Sequence, residues 1–273
     1  IPVPYDRFRD RVMFPITDLR GRIIAFGGRA LEKDVPAKYL NSPETPLFHK
    51  GSNLYNGAAA REAVHAAKST KAGQENAGAT VIVVEGYVDV IAMVTAGFPA
   101  TVAPLGTALT EDQLGLLWKM ADEPVLCFDG DGAGVRAAYR AVDLALPRLK
   151  PGKSLKFALL PQGQDPDDLV RSAGRDAVAD VVAAARPLAG MLWARETEGH
   201  QFDTPERRAA LEARLNEITA SIGDDAVRKY YRQDFSARLG AFFAPAQRQG
   251  FAARGGERGQ SWRGNFQARS FSP

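Results

Sequence analysis

The chain has 273 residues, 45% hydrophobic and 25% charged, enough to bury a substantial core and too apolar for a wholly disordered protein. Its one cysteine, Cys127, excludes an intramolecular disulfide and a multi-cysteine zinc site, and no run of about 18 apolar residues would span a membrane. The net charge of +3 is uneven: residues 244–273 hold five arginines against Glu257, a surplus of +4 that leaves −1 for the rest, so nucleic-acid contact by the body must rest on local clusters of charge.

The start, Ile1-Pro-Val-Pro4, is neither a signal peptide nor a Met start and reads as the beginning of a fragment. Val12–Ile16 and Arg22–Phe26 flank Asp18-Leu-Arg-Gly21, which predicts two strands joined by a turn. Pro36, Pro43 and Pro46 mark an irregular stretch, Glu62–Lys71 a short helix and Ala72–Gly78 a surface loop. From Ala79 the pattern changes. Val81–Val84, Ala100–Leu105, Pro124–Phe128 and Leu155–Leu160 read as buried strands, alternating with helices over Asp89–Ala96, from Thr110 to Met120, over Ala133–Leu149 and from Asp167 onward. Thr110-Glu-Asp-Gln113 is a capping-box signature. This alternation predicts an α/β unit with a largely parallel sheet flanked by helices. From Arg186 the signal is helical only, over Leu188–Glu198, Pro205–Ile222 and Asp225–Phe243. The Gly/Arg-rich tail from Ala244, with Phe251, Trp262, Phe266 and Phe271 interspersed, reads as a disordered linker.

Three acidic groups follow three of these strands: Glu85-Gly-Tyr-Val-Asp89, Asp129-Gly-Asp-Gly132 and Asp165-Pro-Asp-Asp168. In parallel α/β sheets, sites form at the carboxyl ends of strands, so the acids are placed to converge. Crowded carboxylates repel unless cations neutralise them, and hard oxygen ligands suit Mg²⁺ or Mn²⁺. Each group has a plainer reading: a turn for Asp129–Gly132, strand-end polarity for Glu85, and helix capping for the third, with Asp168 expected as the capping acid. Three in one α/β unit are harder to dismiss together, and they suggest a metal-dependent phosphoryl site.

These residues also carry a resemblance. Glu85-Gly-Tyr-Val-Asp89 followed by Asp129-Gly-Asp131 resembles the TOPRIM signature, and more of the chain resembles the bacterial DNA primases of the DnaG type. The likeness runs from about Tyr5 to Pro245, through Tyr5–Pro15, Ala25–Arg29, Lys38–Thr45, Phe48–Gly51, Leu105–Thr110 and Asp165–Leu169. It implies a TOPRIM-type sheet over 79–182, preceded by part of a basic α+β subdomain (1–78) and followed by a helical subdomain (183–243) and the linker (244–273). It further implies a DNA-dependent RNA polymerase that makes short primers from ribonucleoside triphosphates on single-stranded DNA in the bacterial cytoplasm, at the replication fork. Glu85, Asp89, Asp129, Asp131, Asp165 and Asp167 would be the metal-site acids for Mg²⁺ or Mn²⁺, with Glu85 open to a proton-transfer role. Arg29, Lys38, Tyr39, Asn41 and Lys50 would line the template and nucleotide side, although Tyr39, Asn41 and Ser42 could equally hold their loop in shape. Gly132 stands where the family has an arginine, with Arg136 one turn on. The zinc-ribbon module and the helicase-binding module are both expected to be missing, so zinc is not expected. A TOPRIM nuclease would use the same acids for hydrolysis, and a non-catalytic scaffold would tolerate their neutralisation.

Overall fold

Two sheets share the chain. The computed structural model describes residues 5–32, 35–69, 80–106 and 108–244; the loop expected at 72–78 and nearly all of the expected linker lie outside them. The first sheet is antiparallel, in the order β1 (Arg11–Thr17), β2 (Ile23–Ala30), β3 (Tyr39–Asn41). Its β1–β2 turn is the expected one: the Asp18 carboxylate accepts from the backbone of Arg20 and Arg22, and Gly21 takes φ +80°. Alternation along β1 buries Phe14 and Ile16 on one face. Helix α1 (Gly57–Ser69) then begins a turn and more before the expected Glu62.

The second sheet has the order β5-β4-β6-β7-β8, from β4 (Ile82–Val83), β5 (Thr101–Val102), β6 (Val125–Phe128), β7 (Lys156–Leu159) and β8 (Arg186–Pro187). The β5-β4-β6-β7 pairings are parallel. Strand β8 pairs antiparallel with β7 at the edge, an element the helical reading after Arg186 does not contain. Strand alternation sends residues to two cores. Val83, Val102, Leu126 and Phe157 pack under α3 (Glu111–Met120), α4 (Gly132–Ala145) and α6 (Leu188–Thr197). Ile82, Val84, Val125, Cys127 and Ala158 pack under α2 (Tyr87–Thr95) and α5 (Pro166–Ala183). Both faces are therefore covered, which is why the strands read as continuous apolar runs. Helices α7 (Pro205–Ala220) and α8 (Asp225–Phe242) extend the first of these cores through Leu211, Leu215, Ile218 and Phe235. No helix among the described residues is long and apolar enough to cross a membrane.

A third core joins the two sheets. Phe14, Ile16 and Ala25 of the first sheet pack with Phe48, Tyr87 of α2 and Leu105.

Candidate active site

The carboxyl ends of β4, β6 and β7 each deliver acids to one edge of the parallel sheet. Glu85 leaves β4 and Asp89 sits in the first turn of α2, where its Oδ2 accepts from the Gly86 N–H at 2.9 Å. Asp129 ends β6. Asp131 caps α4, accepting from Ala133 and Gly134 N–H at 2.8 Å each. Asp165 caps α5, accepting from Asp168 N–H at 2.7 Å. The expectation that Asp168 is the capping acid is thus overturned. Its backbone donates to the cap, because Pro166 at the first helical position sets Asp165 as the last extended residue. Gly130 makes the convergence possible: a Cβ there would stand 2.1 Å from the Leu160 carbonyl oxygen, so only glycine lets the β6–α4 loop lie against the end of β7.

The acids feel one another. Asp89 is pushed up to about 7 by burial first and then by the charge of Asp165, with Asp129 and Glu85 adding to it. Asp129 is raised to about 6, again by burial and then by Glu85, Asp165, Asp131 and Asp168. Glu85 keeps solvent contact, yet the packed strand ends desolvate its carboxyl and raise it, with Asp131 adding to the rise; the Asp129 backbone N–H and Arg140 act against this. Glu85, Asp89, Asp129, Asp131 and Asp165 thus form one electrostatic group. Asp167 pairs with Arg171 through Oδ2 at 2.8 Å. Burial and the nearby acids lift the Cys127 thiol to about 12, which leaves it inert as a nucleophile. Among the described residues no group of three or more His, Cys, Asp or Glu side chains is arranged as a ready-made metal site. The chemistry of the donor set nevertheless fits a hard divalent cation: it is all carboxylate oxygen, and its mutual repulsion is what such an ion relieves.

The basic face lies beside the acids. Arg29 and Lys38 stand 6.0 and 5.9 Å from the centroid of the Tyr39 ring, and the Tyr39 hydroxyl feels the charges of Asp89 and Asp165. Asn41 points elsewhere: its amide bonds Tyr87 and the Leu105 carbonyl. Ser42 accepts from Phe26 N–H, so it holds the loop in shape. Lys50 opens the short 3₁₀ turn Lys50–Ser52, whose backbone is anchored to Gln113 of α3. His49 is exposed and pairs with Glu44 at 2.8 Å. Arg136 reaches back toward Gly132, its Nη1 lying 3.2 Å from where a side chain at 132 would begin.

Two residues of the site were not read from the sequence. Arg140, two turns into α4, lines a cavity of about 320 Å³ with Glu85, Val83, Leu109 and Phe128. Its signal was the four-residue spacing from Arg136 along one helix face. Tyr87 was read only as part of a motif.

Comparison with known proteins fits this geometry. Residues 2–61 match the family described as DNA primase catalytic core, N-terminal domain, and 79–157 match the Toprim domain. The solved DnaG catalytic core superposes with a TM-score of 0.75 at 42% identity, covering 86% of this chain and 72% of that one. The chain belongs to the DnaG-type bacterial DNA primase family. A DNA primase domain from Pseudomonas aeruginosa gives a TM-score of 0.76 at 44% identity, over 86% of this chain and 70% of that one. A DnaG primase catalytic domain bound to ssDNA gives 0.73 at 41%, over 85% and 71%. The DNA primase of Escherichia coli K12 is 43% identical over 237 residues, which is 86% of this chain and 39% of that primase. This chain therefore spans about two fifths of that relative's length. One expectation is corrected here: residues 190–242 match the DnaB-helicase binding domain of primase, so a helicase-binding segment is present rather than missing. Its helices, α6 to α8, carry no short motif, and their amphipathic pattern reads equally as core packing.

Proposed function

We propose that this chain is the RNA polymerase core of a bacterial primase, joining ribonucleoside triphosphates into short primers on single-stranded DNA at the replication fork in the cytoplasm. The observation that carries the reading is the convergence of Glu85, Asp89, Asp129, Asp131 and Asp165 beside Arg29, Lys38 and Tyr39. An acid cluster alone suits hydrolysis as well as synthesis. The basic and aromatic face next to it supplies what a polymerase needs in addition, a place for template and triphosphate. Segments 1–78, 79–182, 183–243 and 244–273 take the roles of basic subdomain, TOPRIM unit, helical subdomain and linker.

Asp129, Asp131 and Asp165 would hold Mg²⁺ or Mn²⁺, and Asp167 would offer its Oδ1 while Oδ2 pairs with Arg171. The bound ion would lower the pKa of the attacking 3′-hydroxyl and neutralise the triphosphate. The chain's own groups do the rest. Arg29 and Lys38 draw in phosphates, and the Tyr39 ring offers a face on which a base stacks. Glu85, raised and close to Asp129, is the group suited to take the hydroxyl proton. Helices α6–α8 are assigned to a replicative helicase on the strength of the 190–242 match.

The test is direct. The purified chain, incubated with single-stranded DNA, ribonucleoside triphosphates and Mg²⁺ or Mn²⁺, is expected to yield short RNA on a gel, and Asp129→Asn to yield none while remaining folded. DNA cleavage without RNA would turn the reading to a nuclease. RNA from a folded Asp129→Asn, Asp131→Asn double variant would overturn the site.

A further inference from the structure

The acid cluster and the basic face belong to different sheets, and hydrogen bonds through Asn41 tie the strand of the basic face to Tyr87 of α2 and to Leu105. Tyr87 opens α2 between Glu85 and Asp89. Its ring stacks on Phe14 of β1 (centroids 5.0 Å apart, planes 6° apart) and meets Tyr55 edge-on at 4.7 Å. Its hydroxyl donates to Asn41 Oδ1 at 2.6 Å. Asn41 Nδ2 in turn donates to the Leu105 carbonyl at 3.0 Å, which fixes the amide's orientation, since only the nitrogen end can donate. Arg7 Nε donates to the Asn41 carbonyl at 3.1 Å. Asn41 pairs with Gly27 on β2, and a Cβ on Gly27 would stand 2.7 Å from the Tyr87 ring. Strand β2 and Tyr87 therefore approach to a distance that only glycine permits. Tyr39 stands two residues before Asn41 on the same strand with Lys38 just ahead of it, and Arg29 is the register partner of Tyr39.

We propose that Tyr87 and Asn41 are positioning residues: their hydrogen bond sets the spacing between the carboxylates and the Arg29–Lys38–Tyr39 face, so that a nucleoside triphosphate bridging both meets them together. The proposal rests on the nucleotidyl-transfer reading above. Neither residue touches the reacting atoms in this role. Each acts through its neighbours, Tyr87 on the β4–α2 junction that carries Glu85 and Asp89, Asn41 on the strand that begins at Tyr39 just after Lys38. Burial raises the Tyr87 hydroxyl to about 12, which keeps it a neutral donor at working pH.

A link of this kind leaves each half-site intact and couples them. Its signature is a binding coupling, which is reciprocal between the two ligands. The dissociation constant of ATP would be measured on the 273-residue chain with and without Mn²⁺, and Mn²⁺ binding alone followed by electron paramagnetic resonance. In the unaltered chain Mn²⁺ should tighten ATP by roughly tenfold or more. In Tyr87→Phe, which keeps the ring and its stacking, that ratio should fall by several-fold. Mn²⁺ binding alone should stay within about twofold and the melting temperature close to the parent's. Asn41→Ala removes the same bond from the other side, together with the bond to the Leu105 carbonyl, and should give at least the same loss. The double variant should lose no more than Asn41→Ala alone, as two ends of one link require. A parental ratio in both folded single variants would overturn the proposal. No tightening by Mn²⁺ in the unaltered chain would overturn the nucleotide-site reading itself, and the link with it.

Discussion

At the scale of single residues, the raised carboxyls dictate how the site responds to pH. Asp89 and Asp129 titrate near 7 and 6 in the folded chain, against an ordinary 3.8. Because the folded values lie above the unfolded one, the stabilisation they contribute is complete below about pH 4 and is lost as pH rises through 6 and 7. A cation must displace those same protons, so its affinity rises over the same interval. Without metal, the melting temperature is expected to fall between pH 5.5 and 8. Added Mg²⁺ or Mn²⁺ should offset that fall at pH 8 and do little at pH 5.5. Equal stabilisation by metal at both pH values, measured by scanning calorimetry, would contradict the shared titration of Asp89 and Asp129. The sequence showed these acids as three groups at strand ends. It did not show which would be buried, because burial depends on how closely the β6–α4 loop approaches β7 at Gly130. Tyr87 was illegible for a related reason: it acquires its role from Asn41, a neighbour far away in sequence.

At the scale of elements, two of the acids serve their helices as well as the site. Asp131 satisfies two otherwise unpaired N–H groups at the start of α4, and Asp165 one at the start of α5. Asparagine caps nearly as well as aspartate, while alanine does not. Asp131→Ala is therefore expected to cost about 0.5–2 kcal/mol in urea unfolding, and Asp131→Asn close to nothing, although both should abolish primer synthesis. A stable, active Asp131→Asn would leave Asp131 as a cap alone. Caps and apolar runs are local signals, which is why α3 was found with its Thr110 capping box and β6 and β7 within a residue of their ends. Strand β8 is two exposed residues, Arg186 and Pro187, and exists only because β7 offers an edge. No pattern within its own segment could announce it. The Asp165 and Asp168 exchange has a different, local origin. Both suit a helix start, and Pro166 decides between them.

At the scale of the whole molecule, charge is segregated into a carboxylate edge and a cationic face that adjoin. Single-stranded DNA releases about 0.7 counterion per phosphate neutralised, so the dependence of affinity on salt counts the cations that engage it. Arg29→Ala and Lys38→Ala are each expected to weaken binding and to flatten the log–log salt slope by about 0.7. Fluorescence anisotropy across a salt series would measure this, and an unchanged slope in both variants would remove that face from the DNA path. The fold class and the alternation of the parallel unit were legible throughout, since both rest on buried strands. The coupling of the first sheet to that unit was not, since it runs through a core assembled from Phe14, Tyr87 and Leu105.

The strand order has a consequence for how such a protein comes off the ribosome. Strand β4 lies between β5 and β6, and the acids come from the ends of β4, β6 and β7. Asp165, the last of them to be synthesised, follows β7. A nascent chain that ends before that residue can fold its first sheet and lay down α1, yet holds no complete carboxylate cluster. The charge repulsion of the finished site is therefore deferred until Asp165 has been made, and no translation product that stops before it can present the whole carboxylate edge.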